Sequence, residues 1–446
     1  MRIATIGLCD PGYAEDTAGA AHRQVVAELK QSVGEVFDAG LQTDERKSPP
    51  AVAELVGQHA RQPFDAIVLD QVAWARPDVL LQVLRAMGNV PMVLHSPGSR
   101  VEDGVIHSTA PAAGAGSTQQ VLRRHGVKFR YVWSAPGESV DPQEYMPFLR
   151  AARAGRMLAG AKLGMVGFGD MRLHITGFDV QEVHERFGVE VESLDMLELH
   201  GAMGKLSESQ IDQRASVLTA GWTYHPKQPA QQAWRKMIAM YMVLDDLAAR
   251  RGYLGVSIKC PTGVAAVMGI TPCLVGCLLA RKYHYVCEND IPGLLGQTIL
   301  GLLSEQMSTY WELYEVMEDS VLLGCCGFCP ESFLAEPMRV RSFEGFLAGM
   351  GCCSAVRPGP YTVARLGKAP REGLVFHIAE GLASSPPSWC EEALGMPQHP
   401  SVVFRPSAPL DAFMRSIMAQ HLAVVPGRWA EEARQFAYIK DIPCTL

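Results

Sequence analysis

Strand-like and helix-like stretches alternate along the first 330 residues of this chain, and that rhythm leaves few folds open to it. Arg2 to Leu8 reads as a short buried strand, and Ala21 to Gln31 has the apolar spacing of an amphipathic helix. Phe64 to Asp70 is a second strand. Pro77, suited to a first helical position, opens a helix to Met87. Val90 to His95 is a third strand, ending in the turn Ser96-Pro-Gly98; a helix from Gly114 to His125 and a strand from Lys128 to Trp133 follow. The pattern restarts at Leu163-Gly-Met-Val-Gly-Phe-Gly169. A helix over Phe178 to Phe187 is stopped by Gly188, Val189 to Leu194 is a strand, and Glu208 to Ala220 and Gln228 to Arg251 are helices. Ile258 to Cys260, Tyr283 to Cys287 and Val321 to Leu323 supply further strands, with a helix from Pro292 to Leu303. Helices of this length between strands imply doubly wound parallel sheets.

After Pro330 the texture changes to glycine, proline and short β-rich runs. Examples are Met350-Gly-Cys-Cys-Ser, Arg357-Pro-Gly-Pro-Tyr-Thr-Val-Ala-Arg365, Leu374 to Ile378 and Ser401 to Phe404. A helix from Leu410 to Met418, a strand around His421 to Val425 and a helix from Trp429 to Phe436 close the chain. A length of 446 residues exceeds a single core. The expected architecture is α/β: two Rossmann-like parallel-sheet domains, 1–155 and 156–330, then a smaller, mainly antiparallel β domain over 331–446 with closing helices. The glycines at 164, 167 and 169 do not match G-x-G-x-x-G, and a tight strand-to-loop turn explains them better than a nucleotide site.

Apolar residues make up 48% and charged residues 20%, as in ordinary soluble proteins, and the net charge of −7 argues against nucleic acid or an anionic membrane as a partner. No apolar run reaches the roughly 18 residues of a spanning helix. The N-terminus reads as a buried strand rather than a signal peptide, so the cytoplasm is the expected compartment. The twelve cysteines do not form the regular ladder of a small secreted domain, and reduced thiols are expected.

Several residues invite chemistry. Glu288 ends an apolar strand, where burial without a partner is costly. Asp290 stands where a helix N-cap belongs, and His421 precedes the core-like run Leu-Ala-Val-Val425. Cys260, Cys287, Cys325, Cys326 and Cys329 lie at or just after strand ends, where ligands of α/β sheets bind. Cys326 and Cys329 have C-x-x-C spacing, which suits zinc or thiol redox chemistry, although cysteine is also buried for packing alone.

Five local matches, in order along most of the chain, resemble the fucose/arabinose isomerase superfamily. They are Leu163-Gly-Met-Val-Gly with Gly169-Asp-Met171; Cys287-Glu-Asn-Asp-Ile-Pro-Gly293; Gly324-Cys-Cys-Gly327; Arg357-Pro-Gly-Pro-Tyr-Thr362; and Gln420-His421. The resemblance implies a metal-assisted aldose–ketose isomerase acting on a sugar through an enediol. A divalent cation, manganese above all, would be held by a glutamate, an aspartate and a late histidine. Carried over, the aspartate is Asp290 and the histidine His421. The glutamate's place falls on Gly263 (Thr262 if the register slips by one), so a working carboxylate is missing and Glu288 is the nearest substitute. The departures leave two alternatives: a lyase or transferase with a cysteine-based zinc or iron site, or a non-catalytic carbohydrate-binding relative. The resemblance also implies a homo-oligomer (trimer, tetramer or hexamer) in which Asp10 touches the substrate of a neighbouring subunit.

Overall fold

The computed structural model of the chain describes residues 1–13, 15–43, 49–225, 227–343, 349–388 and 400–445. They form two compact units, Met1–Arg156 and Met157–Leu446. In the first, five parallel strands lie in the order Glu35–Gln42, Arg2–Leu8, Ala66–Asp70, Met92–Ser96, Phe129–Trp133. Arg2–Leu8, Ala66–Asp70 and Met92–Ser96 are buried along their whole length, which is why they read as near-continuous apolar runs. Glu35–Gln42 escaped sequence reading because it is a half-exposed edge strand with little periodicity. Beneath the sheet, His22 bridges two carboxylates: its Nδ1 is 2.7 Å from Asp70 and its Nε2 is 2.9 Å from Asp38. His95 Nδ1 meets the other oxygen of Asp70 at 3.0 Å.

The second unit opens with a four-stranded parallel sheet in the order His284–Cys287, Tyr253–Ile258, Lys162–Val166, Glu190–Leu194. Six antiparallel strands then close into a barrel: Thr309–Val316, Val321–Gly324, Ser401–Pro406, Gly373–Ser384, Gly359–Ala369 and His421–Pro426, the last pairing back with the first. The expected fold class is therefore present, parallel sheets followed by antiparallel β structure.

Two local expectations change. Val321–Gly324 does not extend the parallel sheet; it forms a hairpin with Thr309–Val316, closed by a Met317 N–H to Ser320 carbonyl bond of 2.9 Å. A short buried apolar run carries no signal that separates parallel from antiparallel pairing. The antiparallel part accordingly begins at Thr309 rather than after Pro330. The strand expected at Ile258 to Cys260 instead spans Tyr253–Ile258, and Cys260–Ala265 is a π-helical turn, a distortion frequent at functional sites.

The helix Ile291–Ser304 joins the two parts. It is apolar almost all round, and it packs on the barrel strands Gly359–Ala369 and His421–Pro426 as well as on the parallel strands Tyr253–Ile258 and His284–Cys287. Its N-terminus is where the two sheets bring their polar residues together. Among the described residues no single helix is long and apolar enough to cross a membrane.

Candidate functional site

The approach to that helix is bent by two consecutive left-handed residues, Glu288 (φ 65°) and Asn289 (φ 53°). Left-handed backbone in two non-glycine residues costs energy and persists only when the surroundings enforce it. The Asn289 side chain donates to the Val166 carbonyl at 2.9 Å and so pins the turn to the neighbouring strand. The bend points Glu288 away from the strand and delivers Asp290 to the start of the helix.

Asp290 is fully buried and both of its oxygens accept hydrogen bonds. One oxygen caps the helix by accepting from the Gly293 N–H at 3.0 Å. The other takes the Arg365 guanidinium and lies 2.8 Å from His421 Nδ1. A side chain at Gly293 would collide with this pair, since its Cβ would fall 2.6 Å from the Asp290 carboxylate and 2.8 Å from the guanidinium. Burial alone would raise the Asp290 pKa, but Arg365 and His421 outweigh it and hold the carboxyl well below the usual range. Asp290 thus caps the helix and also contacts His421.

His421 presents its other nitrogen, Nε2, to two glutamates. Glu288 Oε2 is 3.3 Å away, yet neither atom is aligned for a hydrogen bond, and both are buried without one. The third member, Glu312, was not singled out in the sequence. Antiparallel pairing sets Glu312 directly opposite His421, and ligand atoms of Glu288, Glu312 and His421 all lie within 4.8 Å of one another. Burial pushes the Glu288 carboxyl up to about 7, with Glu312, Asp170 and Asp290 adding repulsion against the attraction of His421. Burial raises Glu312 as well. It would lower His421, but the bond to Asp290 and the surrounding carboxylates raise it. Two carboxylates and an imidazole, with two buried atoms lacking hydrogen bonds, suit a divalent cation such as manganese.

Opposite this group, Asp170 is buried and accepts from the Thr262 backbone N–H at 3.1 Å and from the Thr262 hydroxyl. Next to it is Gly263. A Cβ there would fall 2.5 Å from Lys259 Cγ and 2.9 Å from Lys259 Cβ, so the stem of Lys259 occupies the space that a longer residue would need.

The cysteines separate into groups. Cys260 donates its thiol hydrogen bond to Cys287, and this keeps Cys260 protonated well above the ordinary thiol range. Cys325 and Cys326 come within 4.8 Å of Glu312, and Cys326 also contacts Cys273, another residue the sequence did not single out. Cys329 is buried elsewhere, its backbone N–H 3.4 Å from the Cys277 sulfur, so the C-x-x-C spacing does not produce a shared site. Asp10, in the first unit, is engaged by Arg76 Nε at 3.1 Å and by the Gly12 N–H at 3.2 Å.

No family model matches the chain. It is similar to two proteins named sulfoquinovose isomerase. The one from Alkalicoccus urumqiensis is 21% identical over 403 residues, covering 86% of this chain and 87% of that protein. The one from Clostridium sp. (strain MSTE9) is 23% identical over 235 residues, 52% of each. The chain resembles sugar isomerases. Among solved structures, an ABC transporter solute-binding protein from Burkholderia multivorans aligns over 69% of the chain at 13% identity, with a TM-score of only 0.17.

Proposed function

We propose that the chain is a metal-assisted aldose–ketose isomerase whose missing glutamate has been relocated to Glu312. The observation that carries this reading is the pairing of Glu312 with His421 across the barrel, beside Glu288. Gly263 removes one carboxylate from the site and Glu312 supplies another from a different element.

In this reading Glu312 and His421 Nε2 would hold a divalent cation, manganese by the hardness of the donor set, with Glu288 beside them as the base. The cation supplies electrophilic stabilisation for the oxygen charge that develops next to an acidic C–H. Asp290 fixes the ring of His421 through Nδ1, so that Nε2 is the free nitrogen; Arg365 neutralises Asp290 and keeps it ionised. Glu288 is the proton carrier. Its carboxylate takes a proton from one carbon of the sugar and returns it to the adjacent carbon, and burial, which raises its pKa, strengthens it as a base. The hydroxyl proton moves in the same sense, from the oxygen on C2 to the oxygen on C1, so the aldose and ketose differ only in where two hydrogens reside.

Similarity to proteins named sulfoquinovose isomerase makes sulfoquinovose, a sulfonated hexose, the first substrate to test. Incubation of the protein and manganese with sulfoquinovose and with neutral hexoses, followed by NMR of the sugar, tests the reading. Formation of a ketose that is lost in Glu312→Gln supports it. Turnover undiminished in Glu312→Gln contradicts the relocation.

A further inference from the structure

Glu312 faces a second group of donors that the isomerase reading does not use. Its carboxylate and the thiols of Cys325 and Cys326 all lie within 4.8 Å of one another. Cys326 is also hydrogen-bonded to Cys273. These residues arrive from three separate elements: the strand Thr309–Val316, the turn that follows Val321–Gly324, and the start of the helix Cys273–Leu279. Strand register explains part of the meeting, because Glu312 pairs with His421 on one side and with Gly324, the residue before Cys325, on the other.

Buried cysteines usually pack as small apolar side chains. Cys277, Cys329 and Cys352 do so here, and none of them belongs to a group of metal-capable donors among the described residues. The set around Glu312 differs because a carboxylate is turned towards sulfur. A carboxylate gains little from thiols and pays a desolvation penalty unless a cation is shared. Cys326 is partly buried, and Cys325 and Cys273 are buried.

We propose that Glu312, Cys325 and Cys326 form a second metal site, for zinc or a cation of similar softness, with Cys273 drawn in through Cys326 as the fourth donor. Three sulfurs and one oxygen make the four-donor complement that zinc takes, and thiolate ligands select it over manganese or magnesium. Each thiol that ligates releases its proton to solvent. Glu312 belongs to this donor set and to that of the isomerase reading, so the test reads the thiols alone.

Cobalt(II) is the probe, because thiolate ligation gives it a near-ultraviolet charge-transfer band that oxygen and nitrogen ligands do not. The metal-free full-length protein is titrated with cobalt, alongside Cys326→Ser, Cys273→Ser, His421→Ala and Cys444→Ser. The parent, His421→Ala and Cys444→Ser are expected to show the band. Cys326→Ser and Cys273→Ser should lose it or bind cobalt at least about tenfold more weakly. Metal-free melting curves show which variants are folded, and either of the two thiol variants suffices. Absence of the band in the parent, or a band unchanged in a folded Cys326→Ser or Cys273→Ser protein, overturns the proposal. Loss of turnover in Glu288→Gln leaves this readout untouched, so the two readings fail separately.

Discussion

His421 Nδ1 lies 2.8 Å from Asp290, on the same carboxylate oxygen that receives the Arg365 guanidinium. One buried atom therefore balances a fixed cation and orients an imidazole. Asp290→Asn strands the guanidinium in a site where it is 1% exposed. The expected cost is about 3–5 kcal/mol of stability, read from urea unfolding. Manganese affinity should fall roughly 10–100-fold, because His421 loses its orienting partner. Adding Arg365→Met should restore much of the stability without restoring the metal affinity.

The two glutamates are expected to fail differently. Glu288→Gln keeps shape but cannot accept a proton, so kcat should fall by about 10²–10⁴ with the fold intact. Glu312→Gln removes a cation ligand, so its activity should recover partly at high manganese. A manganese titration of kcat for both variants distinguishes the roles; equal responses would contradict the division.

Most of the fold was legible because strand–helix alternation is a strong periodic signal; Glu288, Asp290 and His421 were named from the resemblance, and the three lie in contact. Glu312 was missed for a physical reason. It sits in Thr-Tyr-Trp-Glu-Leu-Tyr-Glu-Val, where its role comes from cross-strand register with His421, more than a hundred residues away, and no local motif encodes register. Arg365 carried a readable sign, a charge within the buried run Tyr361 to Leu366. Cys273 carried none, since its partners are brought in by packing. The C-x-x-C spacing is not matched by a shared donor group among the described residues: Cys326 joins Glu312 and Cys325, whereas the Cys329 backbone N–H meets Cys277.

Gly263 tests whether the gap is built in. Gly263→Ala should destabilise by about 1–3 kcal/mol through overpacking against the Lys259 stem. Pairing it with Lys259→Ala should recover most of that loss. Thermal unfolding of the two variants is the check, and a harmless Gly263→Ala would show that the space is free.

The first unit should lose stability on the alkaline side. Burial alone would lower the pKa of His22, but Asp38 and Asp70 outweigh it and raise it from 6.5 to about 9. A raised histidine stabilises fully below its unfolded pKa and loses that contribution as pH rises through its folded pKa. The loss therefore falls between pH 6.5 and about 9 and is on the order of 3 kcal/mol. Denaturation curves across this window should show a slope in the parent that His22→Gln flattens.

In the proposed reaction Glu288 carries a proton between adjacent sugar carbons beside the Glu312–His421 pair. Proton NMR of sulfoquinovose incubated in D2O with the manganese-loaded protein tests it most directly. Deuterium is expected at C1 of the ketose as it forms and at C2 of the aldose on reversal, and Glu288→Gln should abolish both. Ketose formation with deuterium entry undiminished in a folded Glu288→Gln protein would contradict it.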